Sequence, residues 1–308
     1  MEGQGDSSAS SASLVGLGAD PLDAIASCFA AGDLGPFRAT CRKLRAATSA
    51  SRIFLSQATD DEMRALPRRE GETWTELLVQ LERLRRPLEF DALNVDAWSR
   101  AGGRSAFRFE ATRHGFAKSP HVMRAGRHFG VFSIRYDRGM AQDGEPEDVE
   151  FGIIRPVPDR LWRGGPSCGG NRQRPFDPFQ CSRERREELL SSRTAGWGAS
   201  DVHCCTYHTS SCFCYSATWS STVADGSSHH NWQGREALEG QVKVAGLLLD
   251  LDEGTLVVYK NRRRLGVMQR GLSGEYCWMI QVDNTGRHMC SFQVLVEKGT
   301  VPAESLRT

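Results

Sequence analysis

The stretch from Val244 to Met268 constrains this chain more than any other. It reads Val244-Ala245-Gly246-Leu247-Leu248-Leu249-Asp250-Leu251-Asp252, then Glu253-Gly254, then Thr255 to Lys260, Asn261-Arg262-Arg263 and Arg264-Leu265-Gly266-Val267-Met268. Three short runs rich in apolar and β-branched residues are separated by turn residues, and such runs read as strands. Gly254 supplies the residue that adopts positive φ without strain, so Glu253-Gly254 reads as a hairpin turn. Three strands joined so closely form an antiparallel meander. A sheet of this kind presents loops at its ends, and loops carry binding.

The order of these residues resembles the SPRY domain family, a β-sandwich found in many substrate receptors and adaptor proteins. The elements that carry the resemblance are Gly246, Asp250-Leu251-Asp252, the acidic-Gly turn Glu253-Gly254, the strand Leu256 to Tyr259, the turn residue Asn261, and Leu265-Gly266-Val267. One position departs from the pattern. The family usually places Asn-Gly at the second turn, where this chain has Asn261-Arg262. An Arg at a position that favours φ > 0 is strained, so a longer loop through Arg263 is expected there.

The chain has 308 residues and a net charge of +1. That length allows one large or two modest domains. A near-neutral balance gives no ground to expect nucleic acid or a membrane as partner. No apolar run reaches the roughly 20 residues needed to cross a bilayer. Residues 1–13 are Gly/Ser/Ala-rich and lack the pattern of a signal peptide, so they are expected to be disordered and the chain cytoplasmic or nuclear. The ten cysteines are then read as thiols in a reducing compartment. Cys28 and Cys41 are expected in the core of helices, Cys277 and Cys290 in strands.

From residue 14 to about 58 the chain reads as helical. Asp20 can cap a helix whose first position is Pro21, and Leu22, Ile25 and Phe29 share one face. After Gly32, Asp33 can cap a second helix with Leu34, Phe37, Cys41 and Leu44 on its apolar face. This pair resembles an F-box, the helical module that docks a substrate receptor onto the adaptor of a cullin-type ubiquitin ligase. The resemblance rests on Asp20-Pro21-Leu22, Ile25, Phe29, Asp33-Leu34, Arg38 and Cys41-Arg42-Lys43-Leu44. It departs from the family at the start, usually Leu-Pro, and at Leu44, usually Trp. It implies that Pro21, Leu22, Ile25, Leu34 and Phe37 meet the adaptor; the alternative is a helical pair with a structural role only. Residues 59–97 read as a linker and a connecting helix, Thr73 to Arg86, with Trp74, Leu77, Leu78, Leu81 and Leu84 as its apolar stripe and Pro87 as its stop.

Residues 98–298 are expected to form the β-sandwich. Strands are read at 107–109, 129–136, 149–157, 202–206, 211–219, in the meander, and at 276–282 and 288–296. Residues 163–193 read as a long surface insertion with a charged helix at 182–190. Residues 220–231 read as a soft loop, with His229-His230 exposed to solvent. The fold class is therefore mainly β, an antiparallel SPRY-type sandwich preceded by a small helical region.

His203, Cys204, Cys205, His208, Cys212 and Cys214 are zinc-ligand types at close spacing. However, Cys212 and Cys214 alternate as in a strand, and no pair of spaced cysteines brackets a loop. Buried strand thiols are preferred to a metal, and no cofactor is expected. Asp250 and Asp252 could suggest acid–base chemistry, but Asp252 is expected to accept backbone hydrogen bonds at the Glu253-Gly254 turn. Trp278 is expected to be buried and Trp197, flanked by glycines, to be exposed.

These readings imply a non-catalytic interaction protein. The resemblance implies that loops at one end of the sandwich bind a protein or peptide. The candidates are Arg135, Tyr136 and Asp137 after one strand, Asp283, Asn284 and Arg287 in one turn, and Trp197. With the F-box-like helices the whole would be a substrate receptor of a cullin-type ligase. The alternatives are a scaffold with no ligase link, and an enzyme that uses the Cys/His cluster.

Overall fold

The computed structural model describes residues 50–92, 98–100, 106–111, 115–136, 148–161, 177–179, 181–220, 227–238, 242–283 and 290–302. The expectations for residues 1–49, including Pro21, Leu22, Ile25, Leu34, Phe37, Cys28 and Cys41, lie outside the described residues. The chain divides into two compact units: the larger takes in Arg64–Pro67 and Arg86–Thr308, and the smaller the residues before them and Arg68–Arg85.

In the smaller unit, α1 (Ala50–Gln57), α2 (Asp60–Ala65, whose last turn enters the larger unit) and α3 (Trp74–Arg85) are described. The sequence starts two of these helices with the same device. Thr59 and Glu62 exchange hydrogen bonds, as do Thr73 and Glu76, with each threonine hydroxyl accepting an N–H and each carboxylate accepting the threonine N–H. These are capping boxes, which satisfy the orphan donors of a first turn. Leu77, Leu78, Leu81 and Leu84 of α3 are buried, as their spacing predicts, together with Ile53 and Phe54 of α1. Trp74 is half-buried, with Phe54 at 5.8 Å and the Arg68 guanidinium 4.7 Å above its ring.

The larger unit is an antiparallel two-sheet sandwich. Its strands in chain order are β1 (Asp91–Ala92), β2 (Trp98–Arg100), β3 (Ala106–Ala111), β4 (Gly115–Lys118), β5 (Arg127–Tyr136), β6 (Asp148–Ile154) and β7 (Cys204–His208). They continue with β8 (Cys214–Ala217), β9 (Ser227–His230), β10 (Val242–Asp250), β11 (Thr255–Lys260), β12 (Arg263–Arg270), β13 (Cys277–Asp283) and β14 (Cys290–Lys298). Among the described residues, sheet one has the order β1-β4-β13-β6-β7-β8-β9 and sheet two the order β12-β11-β10-β5-β14-β3-β2. The class read from the sequence, mainly antiparallel β, is the class adopted.

Strand β5 alternates buried and half-exposed residues from His128 to Ile134, the period of a strand with one face on a core. Its buried face meets sheet one: the Phe132 ring stacks on Phe151 at 4.8 Å and packs edge-on against Trp278 at 5.8 Å. Each large apolar side chain buried here contributes about 1.5–3 kcal/mol relative to leaving it in water. A second cluster lies on the other face of sheet one, where Ile154, Cys204 and Met279 pack with Leu189, Trp197 and Trp219. Leu189 comes from the charged helix α4 (Arg183–Ser191), which starts where the sequence placed it, with the Ser182 hydroxyl accepting from the Arg185 N–H.

The meander is as read, but both turns work differently from expectation. At the first, Asp250 rather than Asp252 holds the turn. Its carboxylate accepts the N–H groups of Asp252 and Glu253, at 3.1 and 3.0 Å, and its other oxygen takes the Arg127 Nε at 2.7 Å. Asp252 instead accepts the Gly126 N–H, because it already lies in the turn and points away from the strand. Gly254 has φ 64°, and a Cβ there would meet the Leu272 carbonyl oxygen at 2.7 Å, so no other residue fits. At the second turn Lys260 pairs directly with Arg263. No longer loop forms, because Asn261 and Arg262 both take left-handed backbone, at φ 51° and 67°. That is the two-residue turn whose twist suits a hairpin.

Two further expectations are corrected. Residues 227–230 form β9, so His229 and His230 sit on a strand; its short polar run has no alternation to betray it, although His229 is exposed as expected. Cys212 is not in a strand: its φ is 62°, and it closes the turn between β7 and β8.

Candidate partner-binding rim

The sandwich has two ends of different character. At one, β5 ends, β10 and β14 begin, and β11 turns into β12; on sheet one, β13 ends and β6 begins. This rim gathers the loops that the sequence singled out. Arg135 is exposed and Tyr136 half-buried at the end of β5, where they pair with Val242 of β10 and Phe292 of β14. Asp283 is the last residue of β13 and pairs with Asp148, the first of β6. Asp137, Asn284 and Arg287 lie outside the described residues.

Trp197 does not join this rim. It is 1% exposed rather than open to solvent, in a one-turn helix (Ala195–Trp197) at the opposite end. Its ring meets those of Trp219 and His203 at 5.9 and 5.6 Å. The flanking glycines that suggested exposure serve close approach instead: a Cβ on Gly196 would run into the Glu275 carboxylate, and one on Gly198 would press on the Gly274 backbone. Trp278 is buried as expected, at 2% exposure.

The rim also holds residues that the sequence did not mark. Lys243 stands on the core-facing side of β10 and places its ammonium 5.3 Å from the Tyr136 ring. The segment 231–238 crosses between the sheets at this end. Trp232 anchors it, donating its indole N–H to the Cys212 carbonyl at 2.9 Å, and Leu238 joins the core. Along that segment the Arg235 guanidinium lies 4.5 Å over the Phe213 ring, and Glu236 bridges Lys260, at 2.7 Å, and Arg263. The Lys260 ammonium also donates to the Ala237 carbonyl at 2.7 Å. Pairing with two cations lowers the Glu236 carboxyl below the usual carboxylate range. The one signal in the sequence was the departure Asn261-Arg262, which puts a cation where a glycine is usual.

The Cys/His cluster is dispersed by the strand that carries it. Alternation along β7 sends Cys205 to the core between the sheets and Cys204 to the other face. Cys205 sits 3.5 Å from Cys214, sulfur to sulfur, and Cys204 lies 3.2 Å from the Met279 sulfur. His203 accepts the Trp219 N–H through Nδ1, and His208 accepts the Ser211 N–H through its own Nδ1. Among the described residues no three His, Cys, Asp or Glu side chains converge as a metal ion requires. Burial pushes the thiols of Cys204 and Cys205 well above their ordinary range and raises that of Cys212. The thiolate is the nucleophile, so these are weak candidates for chemistry.

Among the described residues, no helix is long and apolar enough to cross a membrane. No family model matches the chain, and no curated protein matches it. Among solved structures it is similar to the SPRY domain of human HERC1, with 9% identity and a TM-score of 0.39 over 69% of this chain and 96% of that one. The TRIM65 PSpry domain gives 11% identity and 0.39 over 71% and 97%. The carbohydrate-binding module CBM66 from Bacillus subtilis gives 8% identity and 0.38 over 69% and 98%.

Proposed function

We propose that this chain is a non-catalytic interaction protein that binds a partner protein or peptide at the sandwich rim holding Arg135, Tyr136 and Asp283. The observation that carries the reading is convergence. The end of β5 in one sheet and the end of β13 in the other lie at the same end of the sandwich, though 147 positions separate Tyr136 from Asp283 (283 − 136). The rim offers exposed cations beside half-buried aromatic rings, the residue types that anchor interfaces. Asp137, Asn284 and Arg287 belong to the same proposed site by their place in the sequence. The raised thiols and the dispersal of the Cys/His cluster favour binding over catalysis.

The resemblance of residues 14 to 54 to an F-box supports a second arm, in which Pro21, Leu22, Ile25, Leu34 and Phe37 dock a cullin-ligase adaptor and make the chain a substrate receptor. Proximity labelling of the full chain, read by mass spectrometry, tests both arms. Arg135→Glu with Tyr136→Ala should deplete one set of labelled partners, and Leu22→Asp or Phe37→Asp should deplete ligase subunits. An unchanged partner set in the first variant overturns the rim reading. Unchanged recovery of ligase subunits in the second, or none from the parent chain, leaves an interaction scaffold without a ligase link.

A further inference from the structure

The turn between β11 and β12 presents arginines in a way that neither the fold nor solubility requires. Asn261, Arg262, Arg263 and Arg264 are all exposed. Arg262 sits at φ 67°, backbone that a glycine would take without strain. Residues kept in such conformations against a local penalty cluster at functional sites. Strand β12 is an edge of sheet two, and cations on an edge discourage pairing with another chain. That accounts for Arg263 and Arg264, which lie on the ladder, but not for Arg262, which lies beyond it.

The same rim shows what these cations hold. Glu236 is gripped by Lys260 and Arg263 together, so this chain contains one example of a carboxylate seated between an ammonium and a guanidinium at this place. Arg262 adjoins that pair at the turn, and Arg264, opposite Tyr259, follows on the outer face of β12. Arg135 is exposed at the same end, on β5, two strands beyond β11 in sheet two. Arginine forks match planar anions and hold them by paired hydrogen bonds. A single-stranded nucleic acid is held best where ring faces are free for bases to stack on. Here the Phe213 ring is covered by Arg235 and the Tyr136 ring by Lys243.

We infer that the β11–β12 turn binds an acidic peptide segment, with Arg262 at the turn and Arg264 on the outer face of β12 taking Asp or Glu side chains. The inference rests on the rim reading above and names the chemistry of its partner.

Fluorescence polarisation of the full chain tests it with a labelled Gly-Asp-Glu-Asp-Glu-Gly peptide. The controls are Gly-Asn-Gln-Asn-Gln-Gly and a labelled oligo-uridine RNA. The expected result is binding of the acidic peptide alone, weakened by salt. Arg262→Gly with Arg264→Gln should reduce it about tenfold, two exposed charge pairs' worth. The melting temperature should stay level or rise, since glycine relieves the left-handed backbone. Equal binding of the amide peptide, tighter binding of the RNA, or an unchanged affinity in the double variant overturns the inference. If the acidic peptide fails while Arg135→Glu with Tyr136→Ala still depletes the labelled partners, the rim reading stands and only its acidic occupant is lost.

Discussion

The two ends of the sandwich use the same residue type in opposite ways. At the closed end, Arg155 is fully buried and, among the described residues, is held by carbonyls rather than by an ion pair. Its guanidinium donates to the carbonyls of Ser273, Glu275 and Ser200 at 2.8, 3.1 and 2.9 Å and lies 4.0 Å over the Tyr276 ring. It stitches the strand that precedes it to two loops of sheet one, and burial lowers it to about 10. At the open end, Arg262 is exposed on a strained turn and has no hydrogen-bond acceptor among the described residues. The difference lies in the supply of acceptors. A cation enters an interior only where polar groups replace its water, and three loop carbonyls do so for Arg155. At the open end Glu236 holds Lys260 and Arg263, while Arg262 stays exposed.

Removing each arginine should therefore move stability in opposite directions. Arg155→Met strands three carbonyls that face the guanidinium, and should destabilise by about 4 kcal/mol in urea unfolding. A loss under 1 kcal/mol would mean that the closed end is not held by this residue.

The closed end should also respond to acid. His128 and His203 are held near pKa 4, below the ordinary 6.5, chiefly by burial, with Arg155 adding to the effect on His203. A depressed histidine stays neutral in the folded chain while the unfolded chain takes up a proton. Its contribution is complete above pH 6.5 and is lost as pH falls toward 4. The two together should cost on the order of 3 kcal/mol at pH 4.5 relative to pH 7. A flat unfolding free energy across that window would contradict the packing described.

Smaller effects sharpen the contrast. Asp250→Ala removes the acceptor for two turn N–H groups and the partner of Arg127, and should destabilise by about 2 kcal/mol. Asp252→Ala should cost less, about 0.5–1 kcal/mol for one exposed bond to Gly126, which reverses the order expected from sequence. Last, Arg262→Gly should stabilise by about 0.5 kcal/mol, because relief of left-handed backbone slightly exceeds the entropy that glycine adds to the unfolded chain. Thermal melts of the two arginine variants side by side would show one falling and one rising.

Local signals were read well because their physics is local. The β10–β12 meander announces itself by composition and by Gly254, the connecting helix by its leucine spacing, and α4 by Ser182 and its charge pattern. Strand β9 was missed because Ser-Ser-His-His carries no alternation, and its pairing comes from β8. Of the candidate rim, Arg135, Tyr136 and Asp283 were named from the sequence. Arg235, Glu236, Lys243 and Lys260 were not, since nothing in their own neighbourhood marks them.

The amino-acid order determined the strands, the turn types that glycine permits and the antiparallel class, because each depends on residues a few positions apart. Tertiary structure decided which charged and aromatic groups face water. Arg155 finds its acceptors 45, 118 and 120 residues away, and Trp197 is covered by rings from another stretch of chain. Burial depends on what arrives from elsewhere, so an arginine that is structural and one that is displayed look the same until the chain has folded.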